Sequence, residues 1–213
     1  MTGPPDGRDE LDSQSLGDFL GQLAARMAAP GAGATAAVEA ALSASLVAMV
    51  GRFSTDEEHA ELVGEVVTAA DAQRDRCLTA AADDEAAFSA VAAAMKLPHG
   101  TAAEQETRRA RLSEAQLAAT RPPLAVLGSA AELVALAARV LPVANPNLVS
   151  DVAAATAAAR AAATTARLSV EANLGGIDDE AAVAELRSAV AGVEDLIRQA
   201  DEIEVAVREQ MSR

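Results

Sequence analysis

Whether this chain crosses a membrane or folds as a helical bundle turns on AGATAAVEAALSASLVAMV, residues 32–50. The run approaches the length of a bilayer span and carries a single charge, Glu39. Its apolar character rests mostly on alanine, with Thr35, Ser43 and Ser45 among the small residues. A helix of that kind suits the buried centre of a bundle better than lipid, since small side chains let neighbouring helix backbones approach closely. The expectation is therefore a core helix, with no membrane partner.

The same chemistry extends outward from that run. The chain has 213 residues, enough for one domain with a proper core, and it lacks Trp and Tyr and has three Phe. Alanine has the best intrinsic helix propensity, so the composition reads as all-α: a single-domain bundle of long alanine-rich helices. Small-residue faces bury little area at about 25 cal/mol per Å², and a homodimer is expected to complete the burial. Seventeen basic residues against thirty-two acidic ones give a formal charge of −15, which repels phosphate backbones and argues against nucleic acid. Cys77 is a lone thiol and His59 and His99 are the only histidines, so no metal site is expected. Residues 1–14 are polar and acidic with Pro4 and Pro5, the opposite of a signal peptide, and read as a disordered tail ahead of a domain over 15–213 and a cytoplasmic location.

Start and stop signals divide the domain. A first helix is expected over 15–28, with Ser15 as its cap and Leu16, Phe19, Leu20, Leu23 and Met27 on one stripe. Pro30-Gly31-Ala32-Gly33 breaks it before the alanine-rich helix, which should end near Gly51. A long helical stretch follows over 55–95, closed by Leu97-Pro98-His99-Gly100. Thr101-Ala102-Ala103-Glu104 fits a capping box, and Pro122 and Pro123 suit the first turn of the helix after it. The next helix is expected over 150–172, capped by Asn147 or Ser150, and a last one should run from Asp178 and Asp179 to Met211.

Four polar sites interrupt this frame: Pro30-Gly31-Ala32-Gly33-Ala34-Thr35, Asp83-Asp84-Glu85 followed by Ala86-Ala87-Phe88, Leu97-Pro98-His99, and Asn145-Pro146-Asn147-Leu148-Val149-Ser150-Asp151, with Asn173-Leu174 one helix later. A capping box segment, Thr101, Glu104 and Arg108, lies between the second and third of these and the last. In this order the set resembles the cyclodeaminase/cyclohydrolase family of folate enzymes, over nearly the whole chain. That family has a P-G-G-G-S turn, D-x-x-A-F ahead of L-P, T-x-x-E-x-x-x-R, N-P-N-x-x-S-D and I-N-L. The chain departs from it at Ala32 and Ala34 in the turn, at the acidic Glu57 and Glu58, and at Ser169 and Glu171 before Asn173.

The resemblance implies an all-helical homodimer acting on the one-carbon bridge of a tetrahydrofolate derivative, most simply hydrolysing 5,10-methenyltetrahydrofolate to 10-formyltetrahydrofolate without a metal. The bridging carbon belongs to a cationic amidinium, so a carboxylate beside it stabilises the charge and can hold or deprotonate water. Asp84 and Asp151 are the candidates for that work. Asn145, Asn147 and Asn173 are expected to hydrogen-bond the pterin or its amide, with Pro98 and Ser150 beside them. The Gly31 to Gly33 backbone is expected to let the ligand come close, and Thr35 to supply a displaced hydroxyl. Two alternatives stay open: deamination of 5-formiminotetrahydrofolate, and a divergent dimer of this fold that binds without catalysis.

Overall fold

The computed structural model describes residues 14–27 and 29–212. Among the described residues eight α-helices follow one another: α1 Leu16–Ala24, α2 Ala32–Phe53, α3 Ala60–Met95, α4 Ala102–Ala118, α5 Arg121–Val140, α6 Val149–Leu174, α7 Glu180–Ala191 and α8 Val193–Met211. Short 3₁₀ turns at Glu57–His59, Leu141–Val143 and Pro146–Leu148 link them, and the described residues contain no strand.

The alanine-rich run forms the centre of the bundle. α2 packs against α3 and α6 along most of its length, with α5 on a third side. Ala36, Ala37, Ala40 and Ala44 are at most 1% exposed, a seam of small residues at helical spacing that lets the backbones lie close. α2 has the length and mean hydropathy, 1.6, of a membrane span. Its buried seam is instead spent on three neighbouring helices, as a core helix requires. The bulkier core residues come from α5 and α6, where Leu133, Leu136, Val140, Val152 and Val170 are at most 1% exposed.

Most caps stand where the residue types placed them. Ser15 accepts from Asp18 N–H, Thr101 and Glu104 form the capping box, and Asp179 accepts from Ala181 and Ala182 N–H. Four boundaries differ. α1 stops at Ala24, and of its stripe only Phe19 is buried, because Leu16, Leu20 and Met27 face outward. α2 runs beyond Gly51 to Phe53, where Ser54 Oγ donates to Val50 O. The expected last helix is two, broken at Gly192. Neither Asn147 nor Ser150 caps α6: its N-cap is Leu148 with no side-chain bond, and Asn145 caps the preceding turn by accepting from Asn147 N–H. Apart from Gln14, the expected tail lies outside the described residues.

Candidate active site

The first turn of α2 has Gly31 as its N-cap, which offers no side chain to the free N–H groups there. A carboxylate from another helix takes the place of a cap. Asp84, on α3, accepts from Ala34 N–H at 3.1 Å, at the end of α2 where the helix dipole favours a negative charge. Gly33 makes this possible, because a Cβ there would overlap the Asp84 carboxylate. The close approach expected at the glycine turn is thus made, at Gly33, by the protein's own acid. Gly31 has open space where its side chain would be and borders a cavity.

That cavity, about 370 Å³, is bounded by α3, α4, α6 and the turn before α2. Asp84, Phe88, Val91 and Met95 line one side at spacings that put them on a single face of α3. Ser169 and Asn173 face in from α6, and Gln116 from α4. Asn173 Nδ2 donates to Ser169 O, and Ser169 Oγ to Thr165 O, so both side chains are braced along α6. Phe88, Met95 and Leu168 are about half exposed and form an apolar rim. An apolar wall with a few convergent polar groups is the usual make-up of a small-molecule site.

Burial raises the Asp84 pKa above its ordinary value of 3.8, with the Ala34 N–H bond partly opposing the shift. The native chain therefore holds this proton at pH values where the unfolded chain has released it. The resulting stability is present below 3.8 and is lost as pH rises from there through the raised folded value. Asp84→Asn removes the titration, so the mutant's melting temperature should climb relative to wild type as pH rises through the mildly acidic range. Glu39, also raised by burial and bonded by Thr165 Oγ1, is present in both proteins and cancels from the difference. A gap between the two proteins that does not change with pH would contradict this account of Asp84.

The remaining sequence-selected residues do not reach this cavity within one chain. Asn145 lies at the other end of α2: its N–H donates to Ser54 Oγ at 2.9 Å and its Nδ2 to Phe53 O. The 22 residues of α2 separate the two ends by about 33 Å. Asp151 sits in the first turn of α6 and Asn173 near its end, twenty-two positions or about 33 Å along the same helix. Asn145 instead borders a second cavity, about 420 Å³ and more polar, with Asp56 and His59 on its other side. Ser150 and Asn147 are exposed. Thr35 Oγ1 donates to Gly31 O inside its own turn, and Pro98 is exposed beyond the end of α3. Within one chain the residues selected from the sequence thus fall into two groups, one of Gly31, Gly33, Asp84 and Asn173, the other around Asn145.

Sequence reasoning passed over Phe88 as a site residue, Val91, Met95, Gln116 and Ser169. The α3 residues carried a signal, since Phe88, Val91 and Met95 continue from Asp84 at helical spacing. Gln116 carried none, because its place depends on how α4 docks. Among the described residues, no three His, Cys, Asp or Glu side chains are grouped as a metal would need.

The formiminotransferase-cyclodeaminase family profile matches residues 15–192, and the chain belongs to that family. Over 100 residues it is 39% identical to a methenyltetrahydrofolate cyclohydrolase of Methylorubrum extorquens, an alignment covering 47% of this chain and 48% of that protein. The aligned part thus spans about half the length of this relative. A solved structure of a formiminotetrahydrofolate cyclodeaminase from Thermotoga maritima superposes with a TM-score of 0.78 at 25% identity, over 91% of this chain and 97% of the other.

Proposed function

We propose that the protein is a methenyltetrahydrofolate cyclohydrolase and that Asp84 acts on the one-carbon bridge. The observation that carries this reading is a partly buried carboxylate, held by a helix N-terminus, in a cavity with an apolar rim. The bridging carbon is cationic and the carboxylate anionic, so binding places opposite charges together in a medium where they attract more strongly than in water. Water adds to that carbon while Asp84 accepts its proton. The adduct's hydroxyl then gives up its proton as the bond from the carbon to N5 breaks and N5 takes one up, leaving the carbon on N10 as a formyl group and the other water proton on Asp84. The chemistry needs no metal. A raised carboxyl pKa suits a general base, whose activity should fall at acid pH as Asp84 protonates.

The relative named as a cyclodeaminase supports the close rival, release of ammonia from 5-formiminotetrahydrofolate, which passes through the same bridged cation. Two assays on one preparation separate them. Accelerated loss of methenyltetrahydrofolate absorbance without ammonia release from the formimino compound supports the hydrolase, and the reverse supports the deaminase. The folate enzymes named above suit a cytoplasmic setting, which we assign to this chain as well.

The split of the site residues favours a homodimer. On the outer side of α2, Leu42 and Phe53 are 55% and 60% exposed and three turns apart on one face, and Leu168 of α6, at 56%, stands at the rim of the Asp84 cavity. These exposed apolar residues run from the Asp84 cavity, which Leu168 lines, to the Asn145 cavity, which Phe53 lines. A two-fold axis crossing them sets the Asn145 end of one copy against the Asp84 cavity of the other, where Asn145, Asn147 and Asp151 can reach the ligand. Light scattering should find a dimer for the wild type and a monomer of reduced activity for Leu42→Glu. A fully active wild-type monomer would contradict this arrangement.

A further inference from the structure

Along the outward face of α2, Thr35, Glu39, Leu42, Leu46, Met49 and Phe53 follow one another at spacings of four and three, the repeat of a helix-pairing seam, and none of them is buried. Glu39 is the one ionisable group in this seam. Its carboxylate accepts from Thr165 Oγ1 of α6 at 3.2 Å. Partial burial lifts its pKa above the ordinary 4.5, and the Thr165 bond opposes that shift. A half-buried acid in a seam of otherwise uncharged side chains resists being covered in its charged form.

The helices packed on α2 bring it no counter-charge. On α6, Arg160 and Arg167 pair with Asp201 and Glu194 of α8, and Glu171 is exposed beyond the Leu168 rim. On α3, Asp84 is held at Ala34 N–H, five residues or about 7.5 Å back along α2. On α5, Arg139 pairs with Glu65 of α3, while Arg121 and Glu132 border a groove between α5 and α3. Arg52, the other charged residue of α2, pairs with Asp71 of α3. Among the described residues, then, Glu39 has a hydroxyl for a partner and no cation.

We propose that Glu39 makes the docking of a second copy on this seam, and with it the completion of the site, depend on proton uptake. This rests on the homodimer reading above. The occupant is a second copy because α2 borders the Asp84 cavity at its start, through Gly31 to Gly33, and the Asn145 cavity at its end, through Phe53. A two-fold axis across α2 pairs the helix antiparallel with its copy. Reversing the seam then sets Glu39 against the partner's Met49 and Leu42 against the partner's Leu46. The covered carboxyl loses water and gains an apolar neighbour, which favours its neutral form. Its pKa is therefore higher in the dimer than in the monomer, so docking takes up protons, is tightest at acid pH and weakens as pH rises above the monomer's value. Asp84 has the opposite need, since it works as a carboxylate. Dilute enzyme should thus lose activity at acid pH through Asp84 and at higher pH through dissociation of the dimer.

The test is sedimentation of wild type and Glu39→Gln over a pH series from about 5 to about 8, in about 0.3 M salt to screen the general repulsion of a chain of charge −15. The amide keeps the shape of the side chain and an oxygen for Thr165 but does not ionise, and circular dichroism verifies the fold at each pH. The wild-type dimer Kd should rise at least about tenfold across the series, the effect of one pKa unit between monomer and dimer. Glu39→Gln should change much less, and at the top of the series should dimerise at least about tenfold more tightly than wild type. A wild-type dimer whose Kd follows pH as the variant's does, or a variant no tighter than wild type at about pH 8, overturns the role of Glu39 and leaves the homodimer standing. A wild type that is monomeric at every pH overturns both.

Discussion

Asp84→Asn should lower kcat by about a hundredfold to ten-thousandfold, the usual contribution of a positioned acid or base, while leaving the bundle folded. The substitution keeps the shape of the side chain, and its amide oxygen can still accept from Ala34 N–H, so the α2 terminus retains its partner. What is lost is the negative charge facing the cationic bridge and the capacity to take a proton from water. Circular dichroism and thermal melting should therefore match wild type or exceed it at neutral pH, since the mutant no longer buries a charge. Loss of activity together with unfolding would mean that Asp84 serves the fold alone.

Gly33→Ala should cost about tenfold to a hundredfold in kcat/KM, although Asp84 itself is untouched, because misplacing a reacting group by about 1 Å has that order of effect. The added Cβ would occupy the space of the Asp84 carboxylate, which has to swing away and give up the Ala34 N–H bond. Alanine is a better helix former than glycine, so the effect on stability should be small beside the effect on rate. Equal losses for Gly33→Ala and Gly31→Ala would contradict this reading, since a Cβ at Gly31 meets nothing within 4 Å.

The fold was largely legible because its determinants are local. Alanine density, Ser15, Thr101 with Glu104, Pro122 with Pro123, and Asp179 each act within one turn of their own helix, and each fixes a boundary by hydrogen bonding or by backbone restriction. The errors fell where tertiary contacts prevail over local preference. α2 continues past Gly51, and a Cβ at that glycine would press on Val67 of α3, so packing selects the residue that looked like a stop. Gly192, by contrast, breaks the last helix in a stretch that reads as continuous.

The site was legible in part for the same reason. Asp84, Phe88 and the glycine turn belong to motifs whose spacing survives on helices, and the structure brings Gly31, Gly33, Asp84 and Asn173 around one cavity. Order along a chain says nothing, however, about which end of a helix a motif occupies. The Asn145 knot and Asn173 flank opposite ends of α6, so two matches that look like neighbours in sequence are held apart by the helix between them. Gln116 lay in no motif, and its place at the cavity follows from how α4 docks.

The central claim is that Asp84 acts on the one-carbon bridge of a folate. The most direct measurement is the decay of methenyltetrahydrofolate absorbance in the presence of purified wild type, of Asp84→Asn, and of buffer alone. Wild type should accelerate the decay, and the mutant should return it nearly to the spontaneous rate. Equal acceleration by both proteins would remove Asp84 from the chemistry. No acceleration by wild type, with no ammonia released from the formimino compound, would contradict the enzymatic reading itself.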